Sequence, residues 1–363
     1  MSINAVNSKS SSSTSSSSTT TQVTEKILAS CRPTKLFDYH QSATITSLDF
    51  DDSGQYLISA GIDKSIQLYD CHKGVHKTDV QSQKYGAHSA RFTHSDLNCL
   101  YASTPTGPQE NDHAIRYLSL SNNQYLRYFK GHKRQVSSIE VNPVHDTFIS
   151  SSFDGTVKLW DLKTSSPTGN LEIGQNSVVG FDPQGIIFAI GKYPDSESTT
   201  GTLSIYDLKN FDKGAFLQVE IPTLQGQLWN KLEFSNNGKH ILISTDSSQH
   251  YIVDAFSGHV QAIIQLANPN PPDWMSLKYP YTGCCTFSPC GKFVLVGSPK
   301  SVVHIFDISN LKSSKGVHSD PIVLTQSTKL TSSMGIPKIL AFNPKLLTFA
   351  TADTTVTLWS PSA

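Results

Sequence analysis

From about residue 25 onward, apolar positions fall in short runs separated by clusters of Gly, Pro, Asn, Asp and Ser. Val, Ile, Phe, Tyr and Thr dominate the runs, and no segment sustains a helical period. Short β-branched and aromatic runs bounded by turn residues predict many strands and almost no helix. Several runs, such as FVLVG (293–297) and IIFAIG (186–191), are apolar without alternation. That is the mark of strands covered on both faces. Before residue 25 the pattern is absent, and residues 8–21 are all Ser or Thr except Lys9. Such a stretch cannot offset its ordering entropy by burial and is expected to be disordered. The chain therefore divides into a Ser/Thr-rich tail, 1–24, and a folded region, 25–363.

The runs repeat. TSLDFDDSGQYLISAGIDKSIQLYD (46–70) and SSIEVNPVHDTFISSSFDGTVKLWD (137–161) both read strand, turn, strand, turn, strand, and both end on an aromatic before Asp. The same shape closes at Asp207, Asp254, Asp307 and Trp359, with a degenerate copy over residues 90–120. Aligning the third strands pairs Tyr69, Leu118, Trp160, Tyr206, Val253, Phe306 and Trp359, at steps of 42 to 53 residues. A period of roughly 40–45 residues stretched by loop insertions resembles WD40 repeats. Seven copies then imply an all-β fold, a seven-bladed WD40 β-propeller of four-stranded blades around a channel. The seventh copy supplies only three strands. TKLFDYH, residues 34–40, is the expected donor of the fourth, an N-terminal strand that closes the ring and removes an exposed edge.

Charge and cysteines narrow the function classes. Lys plus Arg number 29 and Asp plus Glu 29, so no extended cationic face is expected and no direct nucleic-acid partner. No apolar run is long enough for a membrane-crossing helix, and no membrane partner is expected. The six cysteines are dispersed without a CxxC pair, and no Asn-x-Ser/Thr acceptor occurs. The cysteines read as buried small hydrophobes, a pattern that fits a cytosolic or nuclear protein. Adjacent Cys284 and Cys285 would point to opposite faces of a strand. The nearest text to a phosphate loop, residues 185–192, has the wrong spacing, and no GxSxG or HExxH occurs. No catalytic residue, cofactor or metal site is expected.

Two sets of residues remain. Gly131-His132, Asp154 and Trp160-Asp161 form the fullest repeat signature. They predict a buried hydrogen-bonded chain of His132, Ser151 (or Ser152), Asp154 and Trp160, which is structural in role. The other copies show only parts of it. Residues just before the inner strands are expected to form a docking rim: Lys84, His88, Arg91, Lys133, Arg134, Trp229, Lys231, Tyr279 and Tyr281. Cations interleaved with aromatics suit an anionic peptide or phosphopeptide. The Pro-rich loop 268–274 is a second candidate contact.

Several segments resemble one WD-repeat subfamily. They are KYG (84–86), IRYLSLSNNQYLRYFKGH (115–132), DTFISSSFDGTVKLWDL (146–162), FDPQGIIFA (181–189), YDLKNFDKGAF (206–216), LISTD (242–246), VDAFSG (253–258) and FNPKLLTFA (342–350). The subfamily is the small WD40 subunit of the COMPASS histone-lysine methyltransferase complex, shared in fungi with the cleavage and polyadenylation factor. The resemblance implies a non-enzymatic nuclear scaffold without a cofactor. Its implied partners are the methyltransferase N-terminal region and other COMPASS subunits, the polyadenylation factor with its phosphatase module, and the phosphorylated tail of RNA polymerase II. It further implies roles in chromatin histone H3 lysine methylation, mRNA 3′-end processing and transcription termination. The competing reading is a general WD40 adaptor, such as a ubiquitin-ligase substrate receptor or a ribosome-assembly factor.

Overall fold

The computed structural model describes residues 22–95, 97–104, 112–174, 176–195, 197–266, 280–311, 320–331 and 335–362. Within them the chain forms seven sheets, one per repeat. Blade 1 comprises Ile45–Phe50, Tyr56–Gly61, Ser65–Asp70 and Val75–Gln81, and blade 2 His88–Phe92, Asn98–Ala102, Ile115–Ser119 and Gln124–Phe129. Blade 3 comprises Val136–Val141, Thr147–Ser152, Thr156–Asp161 and Gly169–Glu172. Blade 4 comprises Ser177–Phe181, Ile187–Lys192, Thr200–Asp207 and Leu217–Pro222. Blade 5 comprises Trp229–Phe234, His240–Thr245, Gln249–Asp254 and Val260–Gln265, and blade 6 Cys285–Phe287, Phe293–Ser298, Val302–Asp307 and Thr328–Thr331. Blade 7 takes Ile339–Phe342, Phe349–Ala352 and Val356–Pro361 from the chain's end and Cys31–Phe37 from its beginning. All seven aligned third-strand residues lie on third strands.

The burial pattern explains the apolar runs. The second strands of blades 5 and 6, His240–Thr245 and Phe293–Ser298, are buried at every position. Each blade covers its neighbour, so one apolar cluster joins Phe37, Leu48 and Tyr69 to Ile339 and Val356, and to Val294 and Phe306. Outer strands alternate instead: Leu217–Pro222 and Val75–Gln81 put every second side chain in solvent.

Closure of the ring begins three residues earlier than the 34–40 expectation. Cys31 pairs with Pro361, Lys35 with Leu358 and Phe37 with Val356, and the register shifts between Pro33 and Lys35. The shift has two physical causes. Pro33 has no N–H to give, which an outermost strand with one neighbour tolerates. Residues 38–40 leave the sheet because His40 is needed in the interior of blade 1, as described below. A five-residue helix, Glu25–Ala29, precedes the strand; Thr24 caps it by accepting the Ile27 N–H at 3.4 Å. Its Leu28 is fully buried against Cys31, Leu330 and Trp359, and Thr328 donates to Glu25 at 3.1 Å. The helix thus ties blade 6 to the closing blade. Blade 5 also departs from four strands: Ile322–Leu324, from the long connection inside blade 6, pairs in parallel with Ala262–Ile264 and covers that blade's outer edge. The Ser/Thr-rich run of the tail, residues 8–21, lies outside the described residues.

If the front strand closes the ring, a chain beginning at Gln41 should be insoluble when expressed alone. Co-expression with a segment of residues 22–40 should restore a soluble, cooperatively melting propeller. Soluble, fully folded protein without that segment would contradict the closure.

Candidate functional site

The interior of blade 3 holds a continuous polar chain. Trp160 Nε1–H donates to Ser150 Oγ at 2.9 Å, Ser150 Oγ lies 2.7 Å from His132 Nε2, and His132 Nδ1 lies 3.1 Å from Asp154 Oδ2. One proton assignment satisfies every link: Ser150 donates to Nε2, and Nδ1–H donates to the carboxylate. Burial lowers the pKa of His132 despite its carboxylate partner, so the ring is neutral. Burial opposes ionisation of Asp154, but hydrogen bonds from His132, Thr156 and the Lys133 N–H outweigh it and hold the carboxyl well below the usual range. The serine is Ser150, which corrects the expected Ser151 or Ser152. Alternation along the strand is the reason: Ser150 shares the face of Phe148, which stacks on Trp160. Ser151 points the other way and donates to the Ser177 carbonyl of blade 4 at 2.8 Å, and Ser152 donates to the Arg134 carbonyl at 2.9 Å.

Blade 1 carries a second chain that the sequence reading missed. Tyr69 OH lies 3.2 Å from Ser59 Oγ, Ser59 Oγ lies 2.7 Å from His40 Nε2, and His40 Nδ1 lies 3.0 Å from Asp63. The signal was present: Ser59 and Ser150 each stand four residues before the turn aspartate.

The nine rim candidates separate into different environments. Lys84, Lys133 and Arg134 are exposed on loops that lead into blades 2 and 3, with Lys84 over the Tyr85 ring and Arg134 donating to the Phe153 carbonyl at 2.8 Å. Five of the others are corrected. His88 is fully buried and its Nε2 donates to the Val136 carbonyl at 2.8 Å. Trp229 and Tyr281 are core side chains, and Tyr281 accepts from Asn230 at 3.0 Å. Arg91 and Lys231 point into the channel. Tyr279 and loop 268–274 fall outside the described residues. His88, Arg91, Trp229 and Lys231 lie on inner strands, not ahead of them, which is why they leave the rim.

The channel contains a cavity of about 330 Å³ lined by Asp49, Arg91, Glu140, Lys231 and Glu233 among others. Asp49, Arg91, Glu140 and Lys231 lie far apart in sequence; the ring brings them together, because equivalent inner-strand positions converge on one axis. Arg91 pairs with Glu140 at 2.5 Å and Asp49 at 3.7 Å, and Lys231 pairs with Glu233 at 2.6 Å. The carboxylates also bind across blade boundaries. Asp49 accepts the Phe92 N–H at 2.7 Å, and Glu233 accepts the Phe287 N–H at 3.1 Å. These groups are committed to one another and to neighbouring backbone, an arrangement that fastens inner strands together.

Comparison with known proteins agrees with this geometry. The family model "WD domain, G-beta repeat" matches residues 31–70 and 123–161, the two stretches that carry the polar chains. The COMPASS component SWD2 of Saccharomyces cerevisiae is 37% identical over 312 residues, which cover 86% of this chain and 89% of the yeast protein. WD repeat-containing protein 82 of Drosophila melanogaster is 35% identical over 94% of this chain and 98% of its own length. The Set1 complex component swd2 of Schizosaccharomyces pombe is 32% identical over 93% and 99%. The chain belongs to the SWD2 family of WD-repeat propellers.

In this SWD2-family chain the FDKGAF segment has a packing role. Residues Phe211–Lys213 form a single 3-10 turn, and the Phe211 ring lies so close to Gly169 that any β-carbon there would meet it at 2.5 Å. The segment therefore fits blade 4 against the outer strand of blade 3. Phe216 at its end is 61% exposed, and Phe256, in a turn packed beside the same outer strand of blade 4, is 75% exposed. The sequence reading did not single out either aromatic as a contact. One group of metal-ligand type also emerges among the described residues: His250, Cys284 and Cys285, all buried. Cys284 precedes the inner strand of blade 6 and follows Gly283 at φ +81°. The two thiols consequently face each other at 3.7 Å and do not take opposite faces. A metal ion does not fit this group. His250 Nδ1 accepts the Thr245 N–H at 3.2 Å, so the proton is on Nε2, the nitrogen aimed at the sulfurs.

Structural and surface cations should behave oppositely in chemical denaturation. Arg91→Ala is expected to cost about 3 kcal/mol, because it leaves the half-buried Glu140 without its cation and Asp49 with only the Phe92 N–H. Asp154→Ala should cost about 2 kcal/mol. Lys133→Glu with Arg134→Glu should stay within about 0.5 kcal/mol of the parent chain. Near-parent stability of Arg91→Ala would contradict the channel assignment.

Proposed function

We propose that this chain is a non-enzymatic scaffold subunit of a COMPASS-type, Set1-containing histone-lysine methyltransferase complex. The observation that carries the reading is its collinear similarity, over most of both chains, to proteins named as COMPASS and Set1 complex components in two yeasts. A propeller suits a scaffold physically. It offers loops on two faces and a wide perimeter on a frame whose inner strands are locked by buried pairs. The ionisable groups in the channel are engaged with each other, which supports a binding role over a catalytic one.

In this reading the protein works in the nucleus, docks on the N-terminal region of the methyltransferase and supports histone H3 lysine methylation. The family resemblance extends the proposal to the cleavage and polyadenylation factor with its phosphatase module, to transcription termination, and to the phosphorylated polymerase tail. Lys84, Lys133 and Arg134 form the candidate anionic-partner surface, since exposed cations on neighbouring loops can share one acidic or phosphorylated segment. The exposed Phe216 and Phe256 supply apolar contact area on the perimeter of blades 4 and 5.

Affinity purification of the tagged chain from its native cells should recover methyltransferase and polyadenylation subunits together. Lys133→Glu with Arg134→Glu should lower partner recovery about tenfold through lost electrostatic complementarity, at unchanged melting temperature. Recovery of neither complex would overturn the functional reading; undiminished recovery by the double variant would remove these cations from it.

A further inference from the structure

The segment leading into blade 6 is tied to several neighbours at once. Asn230 of blade 5 donates to Tyr281 OH at 3.0 Å, Thr282 N–H donates to the Thr46 carbonyl of blade 1 at 3.0 Å, and Leu340 N–H of blade 7 donates to the Gly283 carbonyl at 3.1 Å. Gly297 N–H of blade 6 itself donates to the Cys284 carbonyl at 2.9 Å. The segment therefore lies across the first residues of the inner strands of blades 5, 7 and 1. Cys284 and Cys285 end it, with sulfurs 3.7 Å apart and both side chains fully buried.

We propose that Cys284 and Cys285 are a redox-active vicinal thiol pair, in which Cys284 is the thiol a peroxide oxidises and Cys285 the one that resolves it to an intramolecular disulfide. The geometry assigns the roles. Thr245 N–H fixes the His250 tautomer, so Nε2–H points at Cys284 Sγ from 4.0 Å. Cys284 is the sulfur that receives this dipole. The Cys285 thiol hydrogen-bonds to Cys284 and, with His250, lowers the Cys284 pKa well below its ordinary value even though burial opposes it. Burial raises the pKa of Cys285 well above its ordinary value, and the neighbouring Cys284 sulfur adds to the rise. A thiolate beside a thiol, with a donor holding the charge, is electrostatically activated. Both sulfurs are fully buried, so the oxidant is one as small as hydrogen peroxide, admitted when the segment opens locally.

The chemistry balances. The Cys284 thiolate attacks one peroxide oxygen; an S–O bond forms, the O–O bond breaks, and hydroxide leaves with the electron pair and takes up the proton Cys284 had released. Cys285 sulfur then attacks Cys284 sulfur; the S–S bond forms, the S–O bond breaks, and the hydroxide leaves as water with the Cys285 proton. Two thiols and one peroxide give one disulfide and two waters. Consecutive α-carbons are ~3.8 Å apart, closer than the usual span of a disulfide. The closed ring is therefore strained and readily reduced, as regulatory disulfides are. Its closure alters the backbone of the segment that joins the inner strands of blades 5, 7 and 1.

The test uses the purified full-length chain and hydrogen peroxide. After brief exposure the reaction is quenched with acid, the protein is unfolded, and free thiols are alkylated for mass spectrometry. The peptide containing residues 284–285 should be two hydrogens lighter and unalkylated at both positions, with full reversal by dithiothreitol. Cys31, Cys71, Cys99 and Cys290 should remain alkylatable at the same dose. Cys285→Ser should accumulate a sulfenic acid at Cys284 that dimedone traps, and His250→Gln should slow oxidation of the wild-type pair roughly tenfold. Complete alkylation of both cysteines after peroxide, at a dose that oxidises the others, would overturn the proposal. So would a zinc adduct on the pair in native mass spectrometry of the protein as purified. Both readouts are made on the parent chain and do not depend on the variants folding.

Discussion

Closure of the ring is the constraint on which the structure depends. Each blade is a sheet with apolar surface on both faces, and only the two neighbouring blades can cover it. Blades 1 to 4 are built from consecutive strands, and blades 5 and 6 are interleaved only by Ile322–Leu324; the seventh is completed by Cys31–Phe37 against Val356–Pro361. Without that pairing, Phe37 and Trp359 would lose their places in two separate apolar clusters, and the edge of Val356–Pro361 would be open. The helix Glu25–Ala29, with Leu28 buried beside Trp359, extends the same clasp onto blade 6.

Around this frame the polar interior is arranged in two layers. In blades 1 and 3 a histidine, a serine, an aspartate and an aromatic satisfy one another within a blade. Between blades, Asp49 and Glu233 each accept a backbone N–H from the next inner strand, and Arg91 reaches carboxylates on both adjacent blades. Buried polar groups of this kind contribute little net stability when paired, yet removing one partner is costly. They therefore specify the register of each blade more than they add to its stability. That rigidity suits a subunit whose proposed work is to present surfaces, among them the cations at Lys84, Lys133 and Arg134.

Most of the architecture was legible because the repeat leaves a local mark. An aromatic beside Asp ends the third strand in four copies, at Tyr69, Trp160, Tyr206 and Phe306, and the strand–turn–strand spacing placed the other three. What failed depended on contacts distant in sequence. Ser150 was hidden within a run of three serines, where only the side facing Trp160 distinguishes it. His40 was hidden in the expected closing strand, residues 34–40, since its partners Ser59 and Asp63 lie beyond the first inner strand. Arg91 and Lys231 read as surface cations because their partners are brought near only by the ring or by strand geometry. Cys284 and Cys285 looked like strand neighbours on opposite faces, whereas the left-handed Gly283 turns the chain just before them.

The account rests most directly on the cooperative unity of the first and last strands. Native-state hydrogen exchange measures this in the intact chain. Amides in Cys31–Phe37 and Val356–Pro361 should exchange as slowly as those of Thr147–Ser152 deep in blade 3, all limited by global unfolding. Exchange of the closing strand at rates typical of a frayed terminus, while blade 3 stays protected, would show that the ring does not depend on it and would contradict the account.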